Sequence, residues 1–169
     1  MTDSNPIEPA SASPVRPPLP AHAGDRVRWT RLYGCAQALA AACAARDHDG
    51  MTVIVTPDPS SADHFSSELE FFLGKDPSTP LLRFPDWETL PYDVFSPHQD
   101  IISERLAVLG SLPNAHGGVL VVPVGTLMGR LPPVQFLDGY SFSLGAGERL
   151  DLDKMRLRLD RAGYRNVSQ

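Results

Sequence analysis

The chain has 169 residues, 42% of them hydrophobic, with 17 prolines, two cysteines and a formal net charge of −5. That length holds one domain, or one domain and part of another, with enough apolar material for a sizeable core. The negative balance argues against a domain that grips nucleic acid by neutralising phosphates, which needs a basic patch or stripe.

Six prolines fall within residues 1–22 among Ser, Ala and Asn, with almost no large apolar side chains. Residues 1–25 are therefore expected to form a disordered, proline-rich tail. Arg26, Arg28 and Arg31 ahead of LYGCAQALAAACAA imitate the charged and apolar regions of a signal peptide, yet they begin too late and lead into too much alanine for one.

Residues 26–133 have the pattern of an α/β domain. Residues 34–45 suit a helix that holds both Cys35 and Cys43; a rise of ~1.5 Å per residue sets them ~12 Å apart, beyond disulfide reach. Reduced thiols, and with them a cytoplasmic location, are the expectation. A polar turn at 47–50 leads into residues 52–56, β-branched at every position and stopped by Pro57, which read as a buried parallel strand. Ala62, Phe65, Leu69, Phe72 and Leu73 then recur at helical spacing as far as Gly74, and residues 81–84 suit another strand. Ser96-Pro97-His98-Gln99 has the form of a capping box with Pro97 at the first helical position. The helix it opens carries Ile102, Leu106 and Leu109 on one face, flanked by Ile101 and Val108. Residues 119–122 repeat the buried-strand signal, and 126–130 suit a short helix before Pro132-Pro133. Strands alternating with helices imply βαβ units and an open, mostly parallel sheet with helices on its faces.

Residues 134–169 read as the beginning of a smaller α/β module. Residues 136–144 suit a hairpin turning at Gly139, and Leu152, Met155, Leu159 and Ala162 share one face of a helix ended by Gly163. The sequence stops before such a module could complete a sheet, so a fragment is expected. No apolar run approaches the ~18 residues of a membrane-spanning helix.

Few side chains suggest chemistry. Asp86 and Glu88 could pair, but no perturbing partner is visible and solvated loop carboxylates are the simpler reading. His22, His48, His64, His98 and His116 lack ligand spacing, so no metal is expected; His98 fits a first-turn helix residue. Ser60, Ser61, Ser66 and Ser67 sit in no G-x-S-x-G elbow. Arg156, Arg158 and Arg161 form a basic run whose plain reading is a solvated helix face. The most unusual stretch is residues 84–105, FPDWETLPYDVFSPHQDIISER, which sets Trp87, Tyr92, Phe95 and three prolines directly ahead of a helix. These aromatics could stack on bases, although in an acidic chain packing in a core or an interface is the better reading.

The same stretch carries a resemblance. DWETLPYD and FSPHQDIISERL, followed by GVLVVPVGTLMGRL at 118–131 and GERLDLDKMRLRLDRAGYRNV at 147–167, resemble in order and spacing the amino-terminal region of bacterial transcription-repair coupling factors, the Mfd family. The resemblance covers roughly residue 31 to the end. It implies a module similar to the excision-repair protein UvrB with a degenerate ATP site. A working phosphate loop reads G-x-x-x-x-G-K-[ST] at the first βα turn, where the lysine reaches the β/γ-phosphates and the hydroxyl holds magnesium. The corresponding segment here runs through Gly34 and Cys35, with Ala36, Gln37 and Ala38 at the second glycine, lysine and hydroxyl positions. No cofactor is therefore expected in this segment; ATP and magnesium are implied only for a motor further along the complete protein.

UvrB-type proteins also insert a long hairpin after their tyrosine-rich strand, whereas Tyr92 here runs within a few residues to Ser96, which argues against DNA contact by strand insertion. The resemblance implies an interaction module, with UvrA and RNA polymerase as partners of the complete protein and most of the UvrA surface beyond Gln169. The interaction residues expected within the segment are Trp87, Tyr92, Phe95, Arg156, Arg158 and Arg161. The alternative is a remnant helicase-type domain that still binds nucleotide or DNA.

Overall fold

A computed structural model of the chain describes residues 9–11, 13–89, 94–140, 147 and 149–161, and divides it into two units, Met1–Gly129 and Arg130–Gln169. In the first unit, β1 (Pro9–Ser11) lies in the stretch read as a tail and pairs in parallel with β2 (Arg28–Thr30). The Trp29 indole Nε1 fastens the intervening chain by donating to the Pro18 carbonyl at 2.9 Å.

The main sheet is built from β3 (Met51–Thr56), β4 (Leu81–Arg83) and β5 (Gly118–Pro123), all parallel in the order β3-β5-β4. Its helices are α1 (Ala36–Asp47), α2 (Pro59–Leu73) and α3 (Gln99–Ser111). The α/β class with a parallel sheet is as the sequence implies. The path from β3 through α2 to β4 crosses the sheet one way, and the path from β4 through α3 to β5 returns. Right-handed crossovers therefore put α2 and α3 on opposite faces. Central β5 is covered on both: Val121 and Val122 point to opposite faces and each is 1% exposed.

The core on the α1/α2 face is made of small and large surfaces in register. Ala38, Ala41, Ala42 and Ala45 of α1 meet Ala62, Leu69 and Leu73 of α2 over Val119 and Val121. Alanine here is a packing residue, since it lets two helix backbones approach one another without lost rotamer entropy. Each end of α2 is fixed. Asp58 caps its start by accepting from the Ser61 amide at 2.7 Å. At its other end Arg46 donates to the Phe72 and Leu73 carbonyls at 2.8 and 3.2 Å, satisfying two of the orphan acceptors of a helix terminus.

Several expectations are corrected. β3 is not a buried strand: among the described residues it pairs on one side only, and Val53 and Val55 are 51% and 49% exposed because α3 covers the sheet at β4 rather than at this edge. The Ser96 capping box does not form. His98 is the residue that leaves helical geometry (φ −61°, ψ 142°), and its Nδ1 accepts from the Asp100 amide at 3.3 Å, so α3 starts at Gln99 and Pro97 stays outside it. The buried face of α3 is Arg105, Val108 and Leu109, while Leu106 is 49% exposed. After β5 a single turn, α4 (Val124–Leu127), begins two residues before the expected helix.

In the second unit the segment read as a hairpin is helical as far as it is described. α5 (Val134–Tyr140) includes Gly139, so intrahelical bonding overrides the turn reading of that glycine; residues 141–146 lie outside the described residues. α6 (Leu152–Arg161) follows, with Met155 and Leu159 as its less exposed positions. The expected Ala162 and Gly163 end of that helix is also outside the described residues.

Candidate functional site

Two places in the first unit gather the residues to which the sequence points. At the first, β2 leads into α1 through a turn in which Arg31 (φ 62°) and Gly34 (φ 54°) adopt the left-handed conformation. Glycine does so at no steric cost, whereas Arg31 is a strained position. Cys35 caps α1 without a side-chain hydrogen bond, and Gln37 folds back so that its amide nitrogen donates to the Leu32 carbonyl at 3.4 Å. This turn borders a cavity of about 860 Å³ along β3, with Trp29, Arg31, Gln37, Val53, His64 and Phe65 among its walls. The strand that feeds the turn differs from expectation. β2 pairs with β1 and is not a strand of the three-stranded sheet, so the turn is not the first βα turn of that sheet.

The second place is the β4–α3 connection, which leaves the carboxyl end of β4 beside central β5. Arg105, on the buried face of α3, is only 2% exposed. Its guanidinium lies 4.1 Å from the centre of the Phe84 ring and 4.0 Å from that of Trp87, a cation held between two aromatic faces. One terminal nitrogen donates to the Pro85 carbonyl, and Nε has no hydrogen-bond partner among the described residues. Burial pushes its pKa down and the nearby Asp86 carboxylate opposes that shift. Asp86 in turn accepts from the Thr126 hydroxyl of α4 at 2.9 Å, and Thr126 is itself buried. Asp86 is thus a structural tie between the connection and α4, and Glu88 beyond it takes a left-handed backbone (φ 56°).

The expected interaction residues are distributed as follows. Trp87 is 39% exposed, with Arg105 against one face of its ring, and Phe95 is 77% exposed on the far limb of the same connection. Tyr92 lies outside the described residues. Arg156 and Arg158 are exposed on α6, in the other unit, and of the Arg161 side chain nothing is described. Arg105 escaped the sequence reading altogether. Its signal was available: it stands where Ile101, Ile102, Val108 and Leu109 predict an apolar neighbour, downstream of an aromatic segment able to receive a cation. Among the described residues no group of three or more His, Cys, Asp or Glu is placed to hold a metal ion, both cysteines are free, and no helix is long and apolar enough to cross a membrane.

Comparison with known proteins decides the kinship. The chain is 44% identical over 151 residues to the transcription-repair-coupling factor of Escherichia coli (strain K12), an alignment covering 89% of this chain and 13% of that protein. The chain belongs to the transcription-repair-coupling factor family. The protein of the same description from Haemophilus influenzae is 44% identical over 154 residues, and that of Myxococcus xanthus 34% over 151. This member of the family spans about an eighth of the length of these curated relatives, and the match is to their amino-terminal region. No family model matches the chain.

Proposed function

We propose that this chain is a non-catalytic, UvrB-like interaction module serving the coupling of transcription to nucleotide excision repair. The observation that carries the non-catalytic reading is the turn before α1. In the correspondence the resemblance implies, Gln37 takes the place of the phosphate-binding lysine, and its amide is engaged with the Leu32 carbonyl, so a triphosphate at this turn would meet neither a lysine charge nor a hydroxyl for magnesium. Kinship with transcription-repair-coupling factors supports the process. On this reading ATP and magnesium belong to a motor elsewhere in the complete protein, RNA polymerase and UvrA are that protein's partners, and the segment acts in the cytoplasm through protein contacts. Titration with a fluorescent ATP analogue is the test. No magnesium-dependent binding is expected; micromolar affinity that needs magnesium overturns the reading. UvrA binding by this chain alone is expected to be weak, and tight capture in a pull-down would move the UvrA surface into these residues.

The second reading, a remnant nucleotide-binding domain, has one observation in its favour. The cavity of about 860 Å³ lies against the same turn and falls within the size range of small-molecule sites. The same titration, with magnesium-independent binding that is lost in Trp29→Ala, would support it.

A further inference from the structure

Ser66 is the polar residue on the buried face of α2, set between Ala62 and Leu69 where packing calls for an apolar side chain, and it is 2% exposed. A serine inside a helix commonly returns its hydroxyl to the carbonyl four residues back, as the neighbouring Ser67 does to Asp63 at 2.9 Å. The Ser66 hydroxyl makes no such bond and has no partner among the described residues. It lines a cleft of about 130 Å³ instead. That cleft lies past the carboxyl ends of β4 and β5, with the first turns of α2 on one side and Glu104 of α3 on the other. Because α2 and α3 occupy opposite faces, this is the crevice in which an open parallel sheet takes its ligands.

The walls select the ligand. The buried ones are apolar, among them Ala62, Phe84 and Val121, while Asp63, Glu88 and Glu104 stand exposed around them. Arg83 also lines the cleft but is engaged with Glu70 at 2.6 Å, and Asp86 is engaged with Thr126. Among the described residues Asp63, Glu88 and Glu104 have no ion-pair partner, so the cleft favours a cation. Among the same residues no three His, Cys, Asp or Glu converge closely enough for a metal ion. The carboxylates therefore suit a cation that is broad and holds its donors apart. Guanidinium is such a group: planar, weakly hydrated enough to lie against apolar walls, with donors that fork toward carboxylates and a hydroxyl. At ~30 Å³ per water the cleft has room for about four waters, enough for that head group, and it falls well below the ~300–1,000 Å³ of a small-molecule site. We infer that the cleft is the seat of an arginine side chain from a partner protein, with Ser66 accepting from the guanidinium and Asp63, Glu88 and Glu104 supplying the countercharge. Such a role rests on the reading of the chain as an interaction module and gives that module's partner its chemistry.

The test uses the whole chain labelled with 15N, with the backbone amides of Ser66, Arg83 and Asp86 as reporters. The probe is a capped Gly-Arg-Gly peptide; one twin carries citrulline, which has nearly the same shape and no charge, another carries lysine, and agmatine serves as the small-molecule arm. The arginine peptide is expected to shift the reporters saturably, with half-saturation at about 1–10 mM as befits one head group. The lysine twin should bind about tenfold more weakly and the citrulline twin should leave the reporters still. Ser66→Ala removes a single oxygen and should weaken binding at least about threefold. The exposed pair Asp63→Asn with Glu104→Gln should weaken it about tenfold, each variant keeping the unfolding midpoint of the parent chain. The remote pair Asp47→Asn with Asp49→Asn should change nothing. Equal shifts by either twin, or binding untouched by both Ser66→Ala and the carboxylate pair, overturn the proposal. Agmatine binding about tenfold tighter than the peptide overturns the assignment to a protein partner. Unmoved reporters in a chain that binds no nucleotide remove this site alone; magnesium-dependent ATP binding removes the reading beneath it.

Discussion

Replacing Arg105 with Met removes the cation while keeping an unbranched side chain of similar reach, so it isolates what the guanidinium does. The two ring contacts at 4.0 and 4.1 Å are desolvated, a setting in which each is worth up to ~2 kcal/mol. The bond to the Pro85 carbonyl has a charged donor and adds ~1.5–3 kcal/mol. Against this, the wild-type chain bears an unpartnered buried Nε, a burden of ~1–3 kcal/mol that Met removes, and the thioether recovers ~0.3–1.5 kcal/mol against the aromatics. The balance is a net loss of ~2–4 kcal/mol. Urea unfolding followed by circular dichroism should show a lower midpoint, and thermal melting a fall of ~4–16 °C at ~2–4 °C per kcal/mol. Arg105→Lys should recover less than half of the loss, because ammonium lacks the flat face that two rings can sandwich. A neutral or stabilising Arg105→Met would refute the account and place Arg105 with the buried charges that apolar residues replace without penalty.

Leu69 of α2 is fully buried in the cluster it forms with α1 and β5, so Leu69→Ala should cost ~2–5 kcal/mol in the same unfolding measurement. Gly118 has a φ of +116°, and a Cβ there would come within 2.5 Å of the Pro80 carbonyl oxygen; Gly118→Ala should lose ~2–5 kcal/mol from backbone strain and overpacking together, visible as a low yield of soluble chain or a depressed melting temperature. The Asp58 carboxyl is held below its ordinary value of 3.8, chiefly by the Ser61 amide and then by the Ser61 hydroxyl. A lowered carboxyl pKa contributes stability above the unfolded value that is lost as pH falls through the folded one, so NMR titration should find its midpoint below 3.8. Asp58→Asn should flatten that part of the acid limb while keeping the cap.

The parallel α/β class and most element positions were legible because they rest on short-range chemistry: β-branched runs ended by proline, and the Gly74 that closes α2. Most of what failed depended on partners far along the chain. Residues 52–56 look fully apolar whether the strand is central or at an edge; strand order, which no local pattern encodes, exposed Val53 and Val55. At α3 a sound capping box lost to a His98 cap two residues later. At the candidate site, the aromatics were visible as an oddity of composition. Their organiser was not, since Arg105 is polar at a position where periodicity expects an apolar residue, and only the fold brings Phe84 and Trp87 to its two faces.

The one-sided pairing of β3 has a consequence for anyone handling this chain. Met51–Thr56 carries no charge, no proline and no bulge, and among the described residues it leaves a row of amides and carbonyls without a neighbouring strand in its sheet. Such a margin is a template on which further strands can nucleate, and its gatekeepers, Asp49 and Pro57-Asp58, flank the strand without interrupting it. These six residues are therefore expected to set the ceiling on the concentration at which the chain stays unassociated. Val53→Lys, at a side chain already half in water, should raise that ceiling in light-scattering measurements with little change in melting temperature.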